Sequence, residues 1–126
     1  MAGAAAPDDE GASCVVGIDL GTTNSAVAVI EGDDIVVVPH EDRRFTIPSV
    51  VAFTAEGGVL VGGRAKRQAG ANPHNTFYSV KRFIGQQYEA VQEEAGSVTF
   101  GVTADEEGAA VLVCDESESG ERGGLG

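Results

Sequence analysis

A mixed α+β fold is predicted by three observations. Runs of β-branched residues crowd the first third of the chain, glycine-marked turns separate them, and apolar spacing shifts toward the helical period between Val61 and Gly85. The length of 126 residues allows one small globular unit, and an apolar content of 42% is enough for a modest core.

Taken in order, residues 1–13 are rich in Ala and Gly and carry Asp8, Asp9 and Glu10 but no Lys or Arg. A secretory signal or transit peptide has the opposite charge, so this stretch reads as a disordered leader. The run Cys14-Val15-Val16-Gly17-Ile18-Asp19-Leu20 predicts a short buried strand, because β-branched residues bounded by glycine favour a strand over a helix of that length. Residues 25–31 and 35–39, separated by Gly32-Asp33-Asp34, predict a hairpin that joins the first strand in a three-stranded meander. Residues 40–47 are polar and precede Pro48, which predicts a loop. Strands follow at 49–54 and 59–61, and a short helix is expected from Gly63 to about Gly70.

Thr76 then stands where it would cap a second helix. Phe77, Val80, Phe83 and Ile84 recur near helical spacing, Gly85 closes the run, and Lys81 falls beside the stripe. A weaker helical patch covers 86–95. Strands are expected at 97–103 and 110–114, flanking the turn Ala104-Asp105-Glu106-Glu107-Gly108. The expected organisation is a sheet-bearing unit at 14–39, a smaller outer unit at 40–114, and an acidic, Gly-rich disordered tail at 115–126.

Charge excludes several functions. The net charge is −12, and seven of the eight basic residues lie between Arg43 and Arg82. No basic stripe is interleaved with aromatics, so neither nucleic acid nor anionic membrane is an expected partner. No apolar run approaches the roughly 20 residues that span a bilayer. Cys14 and Cys114 stand too far from any second cysteine pair for a zinc knuckle, and each reads as a small buried residue at a strand end, which fits a reducing compartment. His40 and His74 lack metal-ligand spacing and read as loop histidines. Arg64, Lys66 and Arg67 read as a solvated helix face.

The stretch that carries chemistry is Gly17-Ile18-Asp19-Leu20-Gly21-Thr22-Thr23-Asn24-Ser25. It places a carboxylate and a Gly-Thr-Thr turn at the end of a strand. Gly21 lets the backbone approach an anion, backbone N–H groups and the Thr22 and Thr23 hydroxyls can donate to phosphate, and Asp19 is a hard oxygen ligand suited to Mg²⁺ or its waters. By pattern alone the same residues fit a plain polar turn between strands. Lys81, likewise, fits a helix-surface lysine with its stem over the stripe.

The stretch from Gly17 to Ser25 resembles the first phosphate motif of the heat shock protein 70 family. Other segments resemble that family in the same order: Pro48-Ser49-Val50-Val51-Ala52-Phe53, Val61-Gly62 with Ala65-Lys66-Arg67-Gln68-Ala69, Asn72-Pro73 with Asn75-Thr76, and Ser79-Val80-Lys81-Arg82-Phe83-Ile84-Gly85. Phe77-Tyr78 leans toward the bacterial, plastid and mitochondrial branch, and the resemblance runs from about Val15 to Cys114. It implies part of an actin/hexokinase-like ATPase fold, within a chaperone that uses ATP and Mg²⁺ to assist protein folding.

Residue by residue, the resemblance implies that Asp19 helps hold the hydrated Mg²⁺, that Gly21, Thr22, Thr23 and Asn24 bind the phosphates, and that Lys81 is the catalytic lysine. The partners implied for a full-length protein are ATP and ADP, unfolded polypeptides, a J-domain co-chaperone and a nucleotide exchange factor. Bacterial cytoplasm or plastid stroma is the implied compartment. Three places depart from the family: Phe45 and Ile47 stand where small polar residues are usual, Gln86-Gln87 replaces paired arginines, and the sequence after Cys114 does not continue into the expected helix. A non-catalytic β-rich interaction module without ATPase activity is the alternative.

Overall fold

The computed structural model describes residues 14–40, 43–115 and 124–125. The expected leader lies outside them, as does most of the expected tail.

The first sheet is the expected meander. Strand β1 (Val16–Leu20) pairs antiparallel with β2 (Asn24–Glu31), and β2 pairs antiparallel with β3 (Asp34–Val37). Gly32 takes φ 62° at the first position of the two-residue β2–β3 turn, a conformation only glycine adopts without strain and one that matches strand twist. A two-residue strand, β4 (Ile47–Pro48), pairs with Ser25 and Asn24 on the edge of β2 that β3 uses further along.

Two expectations are corrected here. Strand β1 is exposed throughout, with Val16 47%, Ile18 67% and Leu20 61% accessible, and Cys14 is exposed as well. Pairing with β2 satisfies the backbone of β1 along one edge, but among the described residues neither of its faces is covered, so its apolar side chains stay in contact with solvent.

The second sheet has the order β6-β5-β7, built from β5 (Val50–Phe53), β6 (Val59–Val61) and β7 (Thr76–Tyr78). Its two faces serve two cores. Val50 and Ala52 pack with Ala65 of α1 (Gly63–Arg67), joined by Leu60 and Tyr78. On the opposite face, Phe53 and Phe77 enter a cluster with Phe83, Val91, Phe100 and Leu112. The rings meet at angles that suit their quadrupoles: Phe53 and Phe77 are edge-on at 6.0 Å, Tyr78 and Phe100 at 5.4 Å, and Phe83 and Phe100 at 6.0 Å.

The helix expected from Thr76 to Gly85 is a strand followed by a tight turn. Thr76 and Phe77 are both buried and point to opposite faces, so their period is that of a strand, fixed by pairing with Ala52 and Val51. Thr76 Oγ1 does not cap forward. It donates back to Asn72 O at 2.6 Å. Ser79 then adopts the left-handed conformation at φ 54°, and Val80–Arg82 forms a 3-10 turn that carries Lys81. Three-residue spacing of Phe77, Val80 and Phe83 serves such a turn as well as it serves a helix.

A 3-10 turn at Tyr88–Val91 and the one-turn α2 (Gln92–Ala95) lead to the third sheet. Strand β8 (Gly101–Ala104) pairs with β9 (Ala110–Val113) through a turn in which Asp105 Oδ1 accepts from the N–H groups of Glu107 and Ala109, both at 2.9 Å. Strand β10 (Gly124–Leu125) pairs with Val113 and Leu112, so the residues expected to be solvated tail include one short paired segment.

Candidate functional site

The Gly21-Thr22-Thr23 turn links β1 to β2, and three contacts from distant residues hold it. Lys81, delivered by the 3-10 turn after β7, donates from Nζ to Leu20 O at 2.6 Å. Ser49, between β4 and β5, donates from Oγ to Gly21 O at 2.7 Å and from its backbone N–H to Thr23 O at 2.9 Å. Ser25 Oγ lies 2.8 Å from Ser49 Oγ. Since the single Ser49 hydroxyl proton is on Gly21 O, Ser25 is the donor in that pair.

Gly21 is required by close approach. A Cβ there would overlap Asn24 O, so any side chain would open the turn. Thr22 is half-buried, whereas Thr23 and Asn24 are exposed, Asn24 as the first residue of β2. Thr22 and Thr23 line a cavity of about 260 Å³ together with Ser49, Lys66, Tyr78 and Ser79. Asp19, exposed and paired with Ala26, opens instead into a shallow hollow of about 310 Å³ beside Gly17, Ala28 and Val37. The structure therefore brings Lys81, Gly21 and Thr22 to one turn and sets Asp19 on the strand leading into it.

Sequence reading missed Ser49 and Ser25. The signal was there in part, because a hydroxyl stands directly after Pro48, where the chain passes from β4 to β5. Lys66, read as a solvated face, is exposed but lines the threonine cavity. Among the described residues no cluster of His, Cys, Asp or Glu could hold a metal by itself, and no helix is long and apolar enough to cross a membrane.

The site joins a glycine turn between the first two strands to a lysine carried by the 3-10 turn that follows β7. The family model described as Hsp70 protein matches residues 15–121. The chain is 53% identical over 104 residues to a "Chaperone protein dnaK" of Cyanidioschyzon merolae, covering 82% of this chain and 17% of that protein. Against the "Stromal 70 kDa heat shock-related protein, chloroplastic" of Pisum sativum it is 53% identical over 100 residues, covering 79% and 14%. Against "Chaperone protein dnaK3" of Thermosynechococcus vestitus it is 50% identical over 100 residues, covering 79% and 15%. The chain belongs to the Hsp70 family, and its strands and short helices are part of an actin-like ATPase fold. It spans about one sixth of the length of these relatives.

Proposed function

We propose that this chain contributes the first phosphate- and magnesium-facing turn and the catalytic lysine to the ATPase site of a chaperone that assists protein folding. The observation that carries the reading is the 2.6 Å bond between Lys81 Nζ and Leu20 O, which brings a cation to the turn across 61 positions of sequence. A lysine with a purely solvated role has no reason to be held there.

The donor set fits a magnesium-bound triphosphate. Thr22 and Thr23 offer hydroxyls beside a cavity, Gly21 removes the side chain that would block the backbone, and Asp19 offers an exposed carboxylate suited to a hydrated hard cation. Residues Gly21, Thr22, Thr23 and Asn24 would hold the phosphates, and Asp19 the waters of Mg²⁺. ATP with its Mg²⁺ supplies, when bound, the phosphoryl group that is transferred to water. Lys81 contributes a fixed positive charge: one of its three ammonium donors is committed to Leu20 O, which fixes where the other two can act. Such a preorganised cation stabilises charge that develops during phosphoryl transfer, without reorganisation at the moment of reaction.

Unfolded polypeptides, a J-domain co-chaperone and a nucleotide exchange factor are the partners this reading implies, and plastid stroma or bacterial cytoplasm the compartment. The test is a chimera in which residues 14–115 replace the matching segment of the pea stromal protein. Lys81→Ala in that chimera should lower single-turnover ATP hydrolysis by roughly 10²–10³-fold while leaving nucleotide affinity nearly unchanged, as removal of a transition-state donor does. An unchanged chemical step with loosened ATP binding would return Lys81 to a structural role.

A further inference from the structure

We infer that Ser49 is a positioning residue that fixes the direction of the backbone N–H groups of the phosphate turn, facing them away from itself, with Ser25 donating to its hydroxyl. The inference rests on reading Gly21-Thr22-Thr23 as the phosphate turn, and it adds a residue from outside that motif.

The argument is one of peptide geometry. The described peptide bonds include none in cis. In a trans peptide the C=O of one residue and the N–H of the next point in opposite directions. Ser49 Oγ holds Gly21 O at 2.7 Å, so the N–H of Thr22 is turned away from Ser49. The Ser49 N–H holds Thr23 O at 2.9 Å, so the N–H of Asn24 is turned away from it as well. Lys81 Nζ acts in the same sense on Leu20 O and therefore on the N–H of Gly21.

The Ser49 hydroxyl has one proton to give, and Gly21 O takes it. The Ser25 hydroxyl, 2.8 Å away, donates to Ser49 Oγ and leaves the Ser49 proton for Gly21 O. Ser49 is itself fixed at the junction of β4 and β5, between Pro48, paired with Asn24, and Val50, paired with Tyr78. One residue thus grips two alternate carbonyls of a turn whose amides would otherwise rotate. The N–H groups of Thr22 and Asn24 are thereby fixed in direction before any anion arrives, and preorganisation of donors lowers the cost of binding.

The experiment uses the 126-residue chain, ¹⁵N-labelled, titrated with magnesium tripolyphosphate as the probe. In the wild type the amide protons of Thr22 and Asn24 should move downfield with the probe, while those of the Phe83 and Phe100 core stay in place. Removing one neutral hydrogen bond typically weakens an interaction by about tenfold, so Ser49→Ala should raise the apparent dissociation constant by about that factor, and Ser49→Thr should restore it to within about twofold. Ser25→Ala should show a smaller rise, because the bond from Ser49 to Gly21 O survives it. If Ser49→Ala does not fold, Ser49→Cys, of nearly the same shape but a weak donor, is read in its place. Wild-type amides that do not respond, or responses that are the same without the Ser49 hydroxyl, overturn the inference. The chimera test of Lys81 is separate: an inactive chimera with Ser49-dependent amide shifts would sink the ATPase reading and leave this inference standing. The converse result would do the opposite.

Discussion

Thr76 shows how a short motif folds itself. Its side chain is fully buried, donates to Asn72 O at 2.6 Å and accepts from Gln68 Nε2 at 2.8 Å. Gln68 also donates to Ala65 O, and Asn72 donates to Phe53 O and to Gln68 Oε1, so the network ties α1 to β5 and β7. Among the described residues no buried side-chain nitrogen or oxygen lacks a partner. Thr76→Val keeps the shape and strands two polar partners, which should cost about 1–3 kcal/mol in urea unfolding. The β1–β2 turn has an equally sharp constraint. Gly21→Ala, whose Cβ would meet Asn24 O, should displace the Thr22 and Asn24 amide resonances while Phe100 and Leu112 keep theirs. His40, the expected loop histidine, packs near Gly62, as does Ile47, whose Cγ2 would lie 2.8 Å from a Cβ there. The apolar residue that departs from the family pattern at position 47 therefore has a contact that only glycine at 62 permits.

At the scale of elements, strands proved easier to read than helices. The meander was legible because β-branched runs and a Gly-Asp turn agree locally, and antiparallel neighbours need no distant information. The segment from Thr76 to Gly85 was misread as a helix because its apolar spacing suits two structures, and only pairing with β5 decides between them. The burial of β1 was misread for the opposite reason: its composition suits a core, and no covering layer lies among the described residues. Lys81 could be placed beside the turn only by resemblance, since no spacing rule links positions 61 apart. Asn75 makes a further element-scale link that no pattern revealed. Its side chain accepts from the Asp115 N–H at 2.8 Å and donates to Asp115 O at 2.7 Å, imitating a strand partner at the end of β9. Asn75→Ala should speed hydrogen exchange at Asp115 selectively, with the β5 amides unchanged, because these bonds are exposed and local.

The whole molecule is uneven in its burial. The aromatic cluster and the α1 core contain the buried apolar residues, while Val16, Ile18, Leu20, Ile30, Ile35 and Val37 of the first sheet remain exposed. Apolar surface gathered on one sheet favours association, so the chain should sediment as larger species at rising concentration, and Ile18→Lys with Ile35→Lys should suppress this. The cavity beside Thr22 and Thr23 is lined by neither Lys81 nor Asp19, and the residues proposed to meet a nucleotide reach only its phosphates. Calorimetry with Mg-ATP should accordingly give an affinity weaker than micromolar for the 126-residue chain, with tight binding reserved for the chimera.

The bond between Lys81 and Leu20 also sets an order of events during synthesis. The β1–β2 turn is local and can close as soon as its hairpin leaves the ribosome, whereas its lysine lies 61 residues further along. At about 5–20 residues per second, the turn waits roughly 3–12 s for that cation. Over that interval the nascent chain holds a glycine-threonine loop with no lysine on it, and the second sheet must assemble around Ser49 and Thr76 before the two halves of the site can meet.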